Sequence, residues 1–266
     1  MANAGSSTVN TERHGRVALI ELNRPEAMNS IDPVMKRELP SALEDAARDP
    51  EIGAVVLTGA GKAFCTGSDL KAGGGGGDTG LRKVARSLLY DYQPVLELLV
   101  RMDKPVIAAV NGPAAGMGMS LALACDLVVM SRSAYLLSPF VNVGLVPDGG
   151  AAWFLTRRLG YGRAFEVLAD GQKISAEQCL AWGLANRIAE PDELRAGALQ
   201  WAAQLAERAP IAMALTKRIA RLSLGTGLSE MLGVEAELQA MSAATDDSRE
   251  AIAAFVEKRK PTFRGR

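Results

Sequence analysis

The sequence predicts an α/β fold with a helical C-terminal region, and three observations carry that expectation. Short β-branched apolar runs alternate with helical patterns through the first half of the chain, helical periodicity takes over beyond Gly149, and 48% of the 266 residues are hydrophobic. That is enough apolar material for one large core. RVALIEL at 16–22 reads as a strand, and residues 33–48 follow as an amphipathic helix. IGAVVLTG at 52–59 and PVIAAV at 105–110 are unbroken apolar runs bounded by turn residues, the pattern of central strands covered on both faces. A helical pattern at 81–102 lies between them, and DLVVMS at 126–131 supplies a further strand. Such alternation builds crossover connections between parallel strands. In the C-terminal part, Leu228, Met231, Leu232, Leu238 and Met241 recur at helical spacing, and 248–258 is a last amphipathic stretch. The chain therefore divides into a polar tail at 1–15, a core at 16–205 and a helical region at 206–266. The run of five glycines at 73–77 reads as a flexible loop.

Composition excludes several functions. Thirty basic residues balance thirty acidic ones, so no global field favours nucleic acid or an anionic membrane. The first fifteen residues have no apolar leader region and no later stretch is long enough to span a bilayer, which points to a cytoplasmic protein without a membrane partner. Cys65, Cys125 and Cys179 are widely spaced and form no CxxC pair, so neither zinc nor a redox disulfide is expected. His14, the one histidine, lies in the polar tail, which removes His-dependent triads and most metal sites. Proton transfer must fall to Asp, Glu, Lys, Tyr or Cys. Of these, Cys65 and Tyr135 have apolar neighbours that favour core packing.

Two glycine-bearing stretches follow strands. GAGKAFCTGSDL (59–70) has Val56 and Ala63 where a phosphate-binding Walker loop needs Gly and Ser or Thr, and NGPAAGMGMS (111–120) lacks the dinucleotide spacing. Both could be tight turns in which glycine relieves strain. The alternative is that both present unpaired backbone amides at one place, the second backed by a helix dipole, which is how an oxyanion is held; spacing alone favours the turns.

The blocks NRPEAMNSI, GKAFCTGSDL, KPVIAAVNGPAAGMGMSLALACDLVV, VGLVPDGGAAWFLTRRLG, ISAEQCLAWGLANRI and AFVEKRKPTFRGR run in order from Val17 to the C-terminus, and together they resemble the crotonase, or enoyl-CoA hydratase/isomerase, superfamily. The resemblance implies a spiral of repeated ββα units, a helical trimerisation region and often a dimer of trimers. It implies an acyl-CoA thioester as substrate and no separate cofactor, CoA being part of the substrate. By position, the amides of Ser68 and Met117 become the two oxyanion donors. Arg24, Ala27, Met28, Ala63, Asp69 and Leu70 fall where the family holds CoA, Gly116 and Phe140 join the substrate-contacting set, and Lys258 and Phe263 lie in an ending that can reach a CoA site, sometimes a neighbour's. Arg24 is open to two readings, a phosphate contact or a solvated surface arginine; for Asp69 a structural role is favoured.

Hydration of a 2-enoyl thioester uses two glutamates in this superfamily, and the matching positions are Ser120 and Phe140, neither of which can act as a carboxylate base. GLVPDGG instead offers Asp148 where isomerases of the superfamily carry their acid. The same segment, with the apolar-aromatic helix and RLG after it, is similar to ring-opening epoxide isomerases of phenylacetyl-CoA breakdown. An aspartate before a helix is ordinarily an N-cap, so Asp148 has that alternative to catalysis. Isomerisation is the favoured activity, ahead of hydration or another lyase or hydrolase reaction, and ahead of an acyl-CoA-binding protein without catalysis.

Overall fold

The computed structural model describes residues 7–69, 71 and 81–266; Leu70 and the five-glycine run lie outside the described residues. Strands β1 (Val9–His14) and β2 (Val17–Leu22) form an antiparallel hairpin, Val9 opposite Leu22 and His14 opposite Val17. The tail expected at 1–15 is thus replaced by an edge strand from Val9 onward. Its exposed positions carry polar side chains, so it lacks the apolar alternation that marks a strand in sequence, and Gly15 at φ 60° closes the two-residue turn.

Helix α1 (Met35–Arg48) buries Met35, Leu39 and Leu43 at four-residue spacing, each worth about 1.5–3 kcal/mol of apolar burial. Next come β3 (Ala54–Gly59), α2 (Leu81–Ser87), a π-helical turn (Leu88–Tyr92) and α3 (Gln93–Arg101). Beyond them lie β4 (Val106–Val110), β5 (Ala114–Ala115), α4 (Met117–Ala124), β6 (Leu127–Ser131), β7 (Tyr135–Leu137), α5 (Ala151–Leu159) and α6 (Tyr161–Asp170). Two further strands, β8 (Lys173–Ser175) and β9 (Arg187–Ala189), flank α7 (Ala176–Ala181). At three residues each they are too short for a period-two pattern to show. The expected run of helices after Gly149 is corrected accordingly.

The main sheet has the order β1-β2-β3-β4-β6-β9, parallel from β2 onward, and β5, β7 and β8 form a second, three-stranded sheet. Every residue of β3 and β4 is buried. One face of the main sheet, with Ile20, Leu22, Val55, Leu57, Ala108 and Val110, joins the principal core together with α1 and α4. The other face, with Leu19, Ala54, Val56, Ile107 and Ala109, is covered by Leu194, Ala198, Ala202 and Ala206 of α8 (Leu194–Ala206). Helix α8 therefore belongs to the core although it crosses residue 205.

Three helices complete the chain: α9 (Pro210–Leu222), α10 (Leu228–Ala243) and α11 (Asp246–Val256). Lys217 and Arg221 pin α9 to the core through Asp126, at 2.7 and 3.0 Å. Among the described residues no helix is long and apolar enough to cross a membrane.

Candidate active site

The turn after β2 is rigid because its polar groups are spent internally. Met28 and Asn29 both adopt left-handed backbone conformations. Asn29 is fully buried, donates its side-chain amide to the carbonyls of Ala60 and Ala63, and accepts from the Arg24 amide. Arg24 is only 17% exposed, so it is not a solvated surface residue. Its Nη1 meets Asp69 at 3.0 Å and donates to the Ser30 carbonyl, while Nε faces Asp32 at 3.4 Å. Arg24 and Asp69 thus tie this turn to the loop that carries Ser68. Of the neighbouring positions, Ala27 is half-buried, Met28 is exposed, and Ala63 is buried with its carbonyl accepting from Asn29 and Asn111.

That loop is held on both edges. Ile31 donates to the Gly67 carbonyl and accepts from the Asp69 amide, a parallel bridge that turns the N–H of the intervening Ser68 away from Ile31. Further back, Cys65 bridges Ala114, with the Ala115 amide donating to the Cys65 carbonyl at 2.9 Å. The second loop therefore lies directly against the first, and Gly118 makes this possible. A Cβ there would stand 2.0 Å from the Cys65 carbonyl oxygen.

Gly116 spends its amide on the Leu137 carbonyl, and Met117 then opens α4, with its own amide at the first helical position. All eight residues of α4 are buried, so its N-terminal dipole acts in a medium that screens it weakly. Among the described residues neither the Ser68 amide nor the Met117 amide has an acceptor. The two are close: a Cβ placed on Gly67, whose φ is 94°, would lie 3.4 Å from the Met117 nitrogen. Met117 is buried, Ser68 is exposed, and the Phe140 ring closes over Gly116 with Cζ 3.8 Å from where a Cβ would be.

Asp148 arrives from the other side. The next residue, Gly149, packs so tightly that a Cβ would be 2.7 Å from the Met117 sulfur and 3.2 Å from Ser120 Oγ, and Ser120 reaches the Asp148 carbonyl at 3.5 Å. The capping alternative does not hold for its side chain: Gly150 is the N-cap of α5, and no side chain caps that helix. Among the described residues the half-buried Asp148 carboxylate has no hydrogen-bond or ion-pair partner, and burial pushes its pKa above the ordinary carboxylate value. Burial likewise pushes the Cys65 thiol up to about 12, which removes it as a proton carrier near neutrality.

A cavity of about 580 Å³ adjoins these groups, lined by Leu88, Tyr92, Leu96, Gly149, Trp153 and Phe154 among others. Tyr92 connects it to the first loop, its hydroxyl 2.7 Å from Ser68 Oγ, and Gly149 connects it to Met117. Asp148 itself is not on the cavity wall; its neighbour is. Lys258 and Phe263 are not drawn to this region by any bond. The C-terminal segment that holds them folds back on α11, where Asp247 accepts the amides of Arg264 and Gly265. Sequence reasoning missed Tyr92, which a π-helical turn delivers, and Asn29, which reads as an ordinary turn residue.

The fold thus brings two unspent amides close together, with the Asp148–Gly149 turn packed against Met117 and an apolar cavity alongside. Comparison with known proteins gives the class. The family described as enoyl-CoA hydratase/isomerase matches residues 12–266, and the chain belongs to that family, within the crotonase superfamily. It is 39% identical to a probable enoyl-CoA hydratase of Rhodobacter capsulatus, covering 97% of this chain and 98% of that one. It is 36% identical to the 1,2-epoxyphenylacetyl-CoA isomerase of Escherichia coli, covering 94% and 95%. Among solved structures, an enoyl-CoA hydratase from Bacillus anthracis superposes with a TM-score of 0.92 at 31% identity, covering 97% and 100%.

Two outcomes are expected from this geometry. Gly67→Ala, which forces a Cβ against the Met117 amide and the Ala115 carbonyl 3.0 Å away, should cut turnover about 100-fold or more, the cost of one oxyanion donor; steady-state kinetics showing full turnover would contradict it. Because the Asp148 pKa is raised on folding, the native state keeps its proton at pH values where the unfolded chain has lost it. Stability therefore falls as pH rises from the unfolded value through the folded one. Asp148→Asn should raise the melting temperature at neutral pH and leave it unchanged at pH values below the ordinary carboxylate range. A lower melting temperature at neutral pH would show that the carboxylate is stabilised by something else.

Proposed function

We propose that this protein is an enoyl-CoA isomerase in which Asp148 carries a proton between two carbons of the acyl chain. The thioester carbonyl sits on the Ser68 and Met117 amides, Asp148 takes the C2 proton of a 3-enoyl thioester, and the charge moves to the carbonyl oxygen as a dienolate. The same acid, now protonated, gives its proton to C4, which leaves a 2-enoyl thioester with no net gain or loss of atoms. Each amide donor supplies on the order of 3 kcal/mol to the charged intermediate, so a base as weak as an aspartate suffices. The observation that carries this reading is the half-buried Asp148 carboxylate, without a partner among the described residues, whose neighbour Gly149 packs against Met117, the bearer of one of the two unspent amides.

Hydration is the second reading, favoured by the name of the Rhodobacter relative. It uses a water held by two acids, and the residues that the family resemblance sets at those positions are Ser120, fully buried, and Phe140, neither of them a carboxylate. Opening of an epoxide on the acyl group also fits a single carboxylate, in line with the Escherichia coli relative's name. Purified protein given 3-hexenoyl-CoA and crotonyl-CoA should convert the first to an isomer of unchanged mass and add water to the second far more slowly. Asp148→Asn should abolish the isomerisation while CoA binding survives. Hydration as fast as isomerisation, or near-normal turnover by Asp148→Asn, would overturn the proposal, and absence of turnover across a broad thioester panel would leave a binding protein instead.

The reading extends to assembly as a trimer or a dimer of trimers. It is supported by the apolar side chains left exposed on α10 and α11, among them Leu228, Leu232, Ile252, Phe255 and Val256. Light scattering on the eluting protein should return a trimer or hexamer mass built from the 28.1 kDa chain, and a monomer at micromolar concentration would refute it.

A further inference from the structure

Tyr92 belongs to no block that marks the family, yet its buried side chain joins the cavity wall to the loop of Ser68. It closes the π-helical turn Leu88–Tyr92, an element rare enough that its extra residue usually serves placement of a side chain. The ring is 6% exposed, lines the cavity, and sits beneath the Lys36 ammonium, 4.6 Å from the ring centre. Lys36 is fixed in turn by Ser87 at 2.7 Å and Asp91 at 3.1 Å. At the other end of the ring the Tyr92 hydroxyl meets Ser68 Oγ at 2.7 Å.

Among the described residues Ser68 is otherwise held only through its neighbours. The bridge to Ile31 uses the Gly67 carbonyl and the Asp69 amide, not any atom of Ser68, and Gly67 before it has no side chain to restrain the peptide. The peptide plane that carries the Ser68 N–H can therefore rock about the two flanking bonds. The side-chain tie to Tyr92 is the contact that opposes this motion directly.

We infer that Tyr92 is a positioning residue for the oxyanion site: its hydroxyl, anchored through Lys36, holds Ser68 so that the Ser68 amide aims at the thioester oxygen. The inference rests on the oxyanion assignment of Ser68 and Met117, not on the identity of the acid or on the final product. It predicts a defect specific to the charged intermediate, because a misaimed donor loses most against a full negative charge.

Acetoacetyl-CoA provides a readout independent of turnover, since its enolate absorbs in the near ultraviolet and its formation on the protein reports the oxyanion donors alone. Tyr92→Phe keeps the ring and its packing under Lys36 and removes only the hydroxyl. The expected result is an enolate fraction corresponding to an equilibrium about tenfold weaker than wild type, one unit in the apparent pKa of the bound ligand. Affinity for CoA itself should be unchanged, and kcat should fall with little change in KM. Ser68→Ala should show the same loss, and the double variant no further loss, since both substitutions break one tie. Wild-type enolate formation by Tyr92→Phe, additive losses in the double variant, or a loss of CoA affinity without loss of enolate would each overturn the role. If wild-type protein itself forms no enolate, the oxyanion assignment fails and this inference with it. That outcome is distinct from a normal wild-type response that Tyr92→Phe leaves intact.

Discussion

The contact between Gly118 and the Cys65 carbonyl, with the Cys65–Ala114 bridge beside it, is the constraint on which the rest of the site depends. It brings two loops from consecutive strand–helix crossovers within van der Waals distance and leaves one amide on each without an acceptor. Buried amides are normally satisfied, so leaving the Met117 amide unspent is costly unless a ligand oxygen supplies the missing acceptor. Polar groups of the turn after β2 are spent internally: Asn29 closes the carbonyls of Ala60 and Ala63, and Arg24 closes Asp69.

The carboxylate obeys the same logic from the opposite sign. Among the described residues Asp126 is paired with Lys217 and Arg221, and buried Asp247 accepts two backbone amides. Asp148 has no such partner among them, and its half burial raises its proton affinity, as the proposed proton transfer requires. Ser120, whose hydroxyl reaches the Asp148 carbonyl at 3.5 Å, brings no second acid to compete for that proton.

Much of this was legible in the sequence, for identifiable reasons. The runs of β3 and β4 are apolar throughout because both faces of the sheet are covered, and Asp148 stands out because it interrupts a glycine-rich turn before an apolar helix. The edge strand β1 was hidden by its polar side chains, and β8 and β9 by their brevity. Arg24 read as a phosphate contact or a solvated arginine, and its pairing with Asp69 was not legible, because charge in sequence carries no information about partners 45 residues away. Tyr92 could not be found at all: its position depends on a π-helical turn that shifts the register of residues 88–92, and no periodicity argument anticipates such a shift.

The central claim is that two main-chain amides polarise a thioester carbonyl. Isotope-edited infrared difference spectroscopy of a bound acyl-CoA carrying a ¹³C label at that carbonyl tests it without recourse to turnover. The account predicts a band displaced to lower frequency than that of the free thioester in water, the sign of a carbonyl weakened by strong donors. A band at or above the frequency of the free ligand would mean that the Ser68 and Met117 amides do not reach the oxygen, and the account would be wrong.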